Sequence, residues 1–144
     1  MLNEQELIDA KEYTSIADAL KEPDKVFKLS LSGSIPPDIA KLPNLQVLIV
    51  SGLQVDLKQV ISQISNLPIQ ELYVRECQLS ALPTEIVNLK NLRQLDLSFN
   101  KYTTLPTEIS QLSKLQTLNL LENPFGDAEK DKVKKMLPNT KVLF

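Results

Sequence analysis

Leu92-Arg93-Gln94-Leu95-Asp96-Leu97-Ser98-Phe99-Asn100-Lys101-Tyr102-Thr103-Thr104-Leu105-Pro106-Thr107-Glu108-Ile109-Ser110-Gln111-Leu112-Ser113-Lys114 is one full 23-residue unit. Its apolar residues stand at Leu92, Leu95, Leu97, Tyr102, Leu105, Ile109 and Leu112, with Asn100 between the two halves. The same order fills the 23 residues before it: Ile69, Leu72, Val74, Cys77, Leu79, Leu82, Pro83, Ile86 and Leu89. Upstream, Leu45 to Pro68 is a 24-residue version whose stretch Leu57–Ile64 reads as a helix. Val26 to Asn44 is a 19-residue version that lacks the residues around the Asn position, and Leu115, Leu118, Leu120 and Asn123 begin a last unit. A period of this length marks a stack of small supersecondary units, none of which buries its own apolar face alone.

The spacing dictates the local structure. Leu95 and Leu97 are two apart, so in a strand both face one way and Gln94, Asp96 and Ser98 face the other. The rest of the unit is long enough to return the chain for a parallel neighbour, by a crossover of right-handed sense. The residue before a proline avoids the helical region, so Leu82-Pro83 and Leu105-Pro106 open extended segments on the far, convex side. Asn100 and Asn123 stand where the chain turns off the strand, and an amide there both donates to and accepts from the turn backbone. Cys77 holds the same place one unit earlier; Leu53, a further unit back, has no such capacity, so the ladder is expected to stop or shift there.

An open stack must hide its ends. Asn3-x-x-Glu6 has the form of a capping box opening a helix to about Lys11, and Ser15-x-x-Asp18 opens a second that ends before Pro23. Asp127 is placed to cap a helix to about Leu137, with Glu129 at its start and Lys132, Lys134 and Lys135 toward its end. Pro138 stops it, and Val142 and Phe144 are expected to pair as a short terminal strand. The reading is one domain over 1–144: helical cap 1–25, repeats 26–123, C-terminal cap 124–144, with the chain complete at its C-terminus.

These residues resemble bacterial leucine-rich-repeat proteins with 23-residue Leu-Pro-x-Glu-Ile units, of the Ras-group-like type seen in spirochaetes and Bacteroidetes. Leu82-Pro83-Thr84-Glu85-Ile86 and Leu105-Pro106-Thr107-Glu108-Ile109 carry the match, and the flanks Tyr13–Pro23 and Asn123–Phe144 look alike too. The resemblance implies an α/β leucine-rich-repeat solenoid, with a parallel concave sheet of about five strands and helical caps. It also implies protein recognition through the concave face, with departures from the pattern at Ser34-Ile35 and Leu53 to Pro68.

Composition points the same way. The 144 residues carry 16 basic and 18 acidic side chains, which gives none of the basic excess that phosphate backbones require. There is no histidine, which removes Ser-His and Cys-His nucleophile pairs and His metal sites, so no enzyme, cofactor or metal centre is expected. The lone Cys77 reads as a repeat filler. Glu85 and Glu108 sit one repeat apart, near the carboxylate separation of about 5 Å in a retaining glycosidase, but on the convex side where no cleft is expected. They are the residues of the hydrolase alternative; self-assembly through exposed sheet or cap edges is the other. The acidic opening Met1–Glu6 is not a signal peptide: a cytoplasmic protein is expected if Met1 is the natural start, a secreted or surface one if a leader was removed.

The outward strand positions are free of core duty, so their identity is informative. They are Lys28, Ser30, Ser32; Val47, Ile49, Ser51; Glu71, Tyr73, Arg75; Gln94, Asp96, Ser98; and Thr117, Asn119, Leu121, flanked by Glu76, Arg93, Phe99 and Glu122. The candidate partner-binding set is Ile49, Glu71, Tyr73, Arg75, Arg93, Asp96, Phe99, Asn119 and Leu121, centred on Tyr73, Arg75, Asp96 and Phe99. Five strands at about 4.8 Å give a face on the order of 400–500 Å². A standard interface takes about 800 Å² from each partner. An extended peptide therefore fits this face better than a globular protein.

Overall fold

In the computed structural model, which describes residues 1–144, the repeats stack as predicted. Seven parallel strands form one open sheet in chain order: β1 (Glu12–Tyr13), β2 (Lys28–Ser32), β3 (Val47–Ser51), β4 (Glu71–Arg75), β5 (Gln94–Asp96), β6 (Thr117–Asn119) and β7 (Lys141–Leu143). β2 to β6 are the repeat strands. β7 is the expected terminal strand, and β1 is an addition that two residues of sequence gave no pattern to reveal. The register follows the repeat: Leu29, Leu48, Leu72, Leu95 and Leu118 form one row, all buried. The short first unit keeps that register, since Lys28 pairs with Val47 although the two are only 19 positions apart.

The convex side returns each strand to the next. After Pro36, Pro83 and Pro106, all extended, the chain tightens into 3₁₀ segments at Pro37–Lys41, Thr84–Asn88 and Thr107–Gln111. Each closes on a proline carbonyl: Ile39, Ile86 and Ile109 donate to Pro36, Pro83 and Pro106 at 3.1–3.2 Å, and their side chains are buried. The long unit instead has α3 (Leu57–Ile64), capped by Asp56 and burying Leu57, Val60, Ile61 and Ile64. One continuous apolar core of 35 residues runs through the stack.

At the ends, α1 (Glu4–Asp9) carries the full Asn3–Glu6 capping box and α2 (Ile16–Ala19) is capped by Ser15. α4 (Asp127–Met136) differs from expectation at its start. Gly126 holds the cap position, and Asp127 lies in the first turn, where its charge still meets the positive end of the helix dipole. Phe125 and Phe144 meet edge to face at 5.6 Å between ring centroids.

Candidate functional site: the concave face

The outward rows run across the rungs in register: Lys28–Val47–Glu71–Gln94–Thr117, then Ser30–Ile49–Tyr73–Asp96–Asn119, then Ser32–Ser51–Arg75. Tyr73, Arg75, Asp96 and Asn119 of the predicted set line one depression of about 260 Å³, shared with Gln94, Thr117 and Leu143. Glu71 and Arg93 lie toward the strand starts, Ile49 is half-buried, and Phe99 and Leu121 stand at the strand-exit edge.

Asp96 corrects the expectation of a free surface carboxylate. It is 5% exposed. Its Oδ2 accepts from Arg75 Nη2 at 2.6 Å, Arg75 Nε at 2.9 Å and Asn119 Nδ2 at 3.0 Å. Its Oδ1 accepts from the Ser98 hydroxyl at 2.6 Å and the Ser98 N–H at 2.9 Å. Burial alone would push the carboxyl pKa up, but the hydrogen bonds from Arg75 and Ser98 and the Arg75 charge outweigh it and hold the pKa below the ordinary aspartate value. Ser98, expected outward and free, is buried as part of this node. Asp96 therefore positions neighbours on three rungs, and Arg75 remains half-exposed with donors to spare. Tyr73 is similarly engaged: its hydroxyl donates to Glu71 Oε2 at 2.8 Å, with Gln94 Oε1 at 3.3 Å, and its ring lies 5.0 Å from the Arg75 guanidinium. Burial first, then the Glu71 carboxylate, drive the phenol pKa far up, so it stays a neutral donor.

Val47 is the other correction: it lies on the outward row yet is buried.

At the strand exit each rung passes through left-handed backbone at one equivalent position: Gly33, Gly52, Glu76, Phe99 and Glu122, with φ between 56° and 93°. The first two rungs use glycine, which adopts this conformation without cost. Phe99 is not a glycine, and the residue is 54% exposed. Just inside this edge runs the amide ladder. Asn100 Oδ1 accepts from the Cys77 and Leu79 N–H groups, and its Nδ2 donates to the Val74, Leu97 and Ser98 carbonyls. Asn123 repeats the pattern with Tyr102 N–H and the Leu97, Leu120 and Leu121 carbonyls. The Cys77 thiol donates to the Arg75 carbonyl at 3.1 Å, and burial pushes its pKa up, which suits a filler and not a nucleophile. The ladder ends there; Leu53 points outward, 57% exposed.

An open sheet of parallel strands, backed by short helical turns and stapled by an asparagine ladder, defines a leucine-rich-repeat solenoid. Residues 68–125 match the family model described as leucine rich repeat. It is similar to a leucine-rich-repeat protein of Leptospira interrogans, 38% identical, with a TM-score of 0.67 over 81% of this chain and 29% of that one. It is similar to the plant assembly described as the BIR3–SERK2 complex of Arabidopsis thaliana, 31% identical, TM-score 0.54, over 66% of this chain and 52% of the other. The fold is also that of an internalin of Listeria monocytogenes, 20% identical, TM-score 0.63, over 83% and 35%. The chain spans about a third of the two bacterial proteins and about half of the plant one. No curated protein sequence matches it.

Proposed function

We propose that the chain is a protein-interaction module that holds a protein or extended peptide on its concave face and catalyses no reaction. The observation that carries this reading is Phe99. A bulky side chain in left-handed backbone costs roughly 1 kcal/mol that glycine avoids, and this residue is more than half exposed, so it gains little from burial. A residue that opposes folding on both counts is best accounted for by what it contacts outside the fold. Around it, Leu121 is exposed, Arg75 offers free donors, and Glu76 and Glu122 occupy the same position on the adjoining rungs. Ile49, Glu71, Tyr73, Arg93 and Asn119 extend the surface across the sheet, and Asp96 contributes by fixing Arg75 and Asn119. The similarity to a leucine-rich-repeat chain solved within a protein complex supports the same class of function.

The hydrolase alternative loses support at Glu85. Its carboxylate lies 2.9 Å from Lys58 Nζ, and that hydrogen bond holds its pKa below the ordinary value, the opposite of what a general acid needs. The test is a paired capture from source-cell extract. One bait is the natural chain and the other carries Phe99→Gly and Leu121→Ser, with circular dichroism confirming the same fold. A protein retained by the natural chain and lost from the variant supports the concave-edge site. Equal retention by both places binding elsewhere.

A further inference from the structure

Part of the concave face is already occupied. Two buried apolar side chains, Leu7 (3% exposed) and Val47 (2%), stand outside the continuous core. The in-register neighbours of Val47 are Lys28 and Glu71, so the sheet alone leaves its outward face open. The N-terminal segment is fixed to the amides that flank it, Gln46 and Gln70. The Leu2 N–H donates to Gln46 Oε1 at 2.9 Å, and the Leu2 carbonyl accepts from Gln70 Nε2 at 3.4 Å; the two amides are themselves joined at 2.8 Å. Further along, Glu4 and Leu7 of α1 face Gln70, Glu71, Arg93 and Gln94 across a cleft of only about 20 Å³.

Gln46, Gln70, Arg93 and Gln116 hold the same place in successive repeats, one residue before each strand. The first two are buried and engaged by the backbone of Leu2. Arg93 and Gln116 are exposed. The contrast within one row separates what the repeat requires from what the segment adds. The segment also has the anatomy of a ligand. Leu2 presents its peptide groups to two amides, the Asn3–Glu6 box starts a helix, and Leu7 is its one buried anchor. Six residues are too few for a helix to persist alone, and Met1 before it and Ile8 within it are exposed. Such an attachment belongs to the least stable part of a fold.

We propose that residues 2–9 are a displaceable intramolecular ligand, and that the groove over Gln46, Val47 and Gln70 docks a partner segment of the same chemistry. That segment is an extended residue leading through an Asn- or Ser-capped turn into a short amphipathic helix with one leucine anchor. Which partner supplies it rests on the reading of the concave face as the binding surface; the groove itself does not. The probe is therefore the chain's own segment, a fluorescent synthetic peptide of residues 1–10, titrated into full-length chains and followed by anisotropy. Saturable binding is expected to the Leu7→Asp chain, whose own segment is released. Binding to the natural chain should be at least tenfold weaker, because the tethered copy competes. Adding Val47→Arg to the Leu7→Asp chain should abolish it, as should Leu7→Asp in the peptide. Equal binding to both chains, or none to a folded Leu7→Asp chain, overturns the inference. If that variant does not fold, hydrogen exchange on the natural chain decides. Amides of residues 6–9 exchanging at least a hundredfold faster than those of Leu48 and Val50 are expected; equal protection would make the segment integral to the fold and overturn it. Loss or retention of capture by the Phe99 variant is read separately and leaves these outcomes untouched.

Discussion

Arg75 Nη2 lies 2.6 Å from Asp96 Oδ2, across adjoining strands, with Arg75 half-exposed and Asp96 buried. The pair is asymmetric: the aspartate carries the cost of burial, and the arginine, followed by Ser98, compensates it. Asp96→Ala removes acceptors from Arg75, Ser98 and Asn119 together and is expected to cost roughly 2–4 kcal/mol in urea unfolding. Arg75→Ala strands a buried carboxylate, so it tests stability at least as much as binding. The pH dependence has a definite sign. The folded-state pKa of Asp96 is lowered, so its stabilisation is complete above the unfolded value near 4 and is lost as pH falls through the folded value. Between pH 5 and 2 the natural chain should lose stability more steeply than Asp96→Asn.

Asn100 is buried with five hydrogen bonds to backbone, and Asn123 makes four from a more exposed position. Asn100→Ala leaves buried N–H and C=O groups without partners and should cost roughly 3 kcal/mol or more. Asn123→Ala should cost less, because water reaches part of its turn. Thermal melts of the two variants compare them directly, and the larger drop belongs to Asn100.

Tyr102 fills a leucine position of the repeat; its ring is fully buried and its hydroxyl has no hydrogen-bond partner. Removing that oxygen leaves the packing and removes an unsatisfied group. Tyr102→Phe is expected to match or exceed the natural chain in stability, by up to about 1–2 kcal/mol. A clear loss in chemical denaturation would show that the hydroxyl is served.

Phe99→Gly separates folding from function. Relief of the left-handed strain should leave stability unchanged or raise it by up to about 1 kcal/mol. Affinity for the partner should fall at least tenfold, as for an aromatic anchor. The two readouts, melting and binding, are expected to move independently.

The solenoid and the register of its regular units were legible because each depends on a single row: Leu72 to Leu118 inside, the Leu-Pro turns outside, the asparagines at the exits; the register of the first two units, which depart from the pattern at Ser34-Ile35 and Leu53 to Pro68, was settled only by the strand pairing. The left-handed row was partly visible as Gly33 and Gly52, and it is the background against which Phe99 stands out. What escaped depends on contacts between rows or from outside the repeat. Asp96 looks free on its own strand, but Arg75 and Asn119 on either side bond to it, along with Ser98. Val47 sits at an outward position, where an apolar residue beside the amides Gln46 and Gln70 was a signal of cover. The segment beside it, with Leu2 on Gln46 and Gln70, carries no repeat pattern. β1 and the Gly126 cap went unread because two residues of strand and one glycine leave no period to detect.

The concave-face account is tested most directly by photo-crosslinking from defined positions. Benzoylphenylalanine replaces Phe99 in one full-length chain and Glu108, on the convex side, in another, and each is irradiated with the captured partner. The account predicts a covalent partner adduct from position 99 and none from position 108. An adduct from position 108, or none from position 99 while the partner still binds, would contradict it.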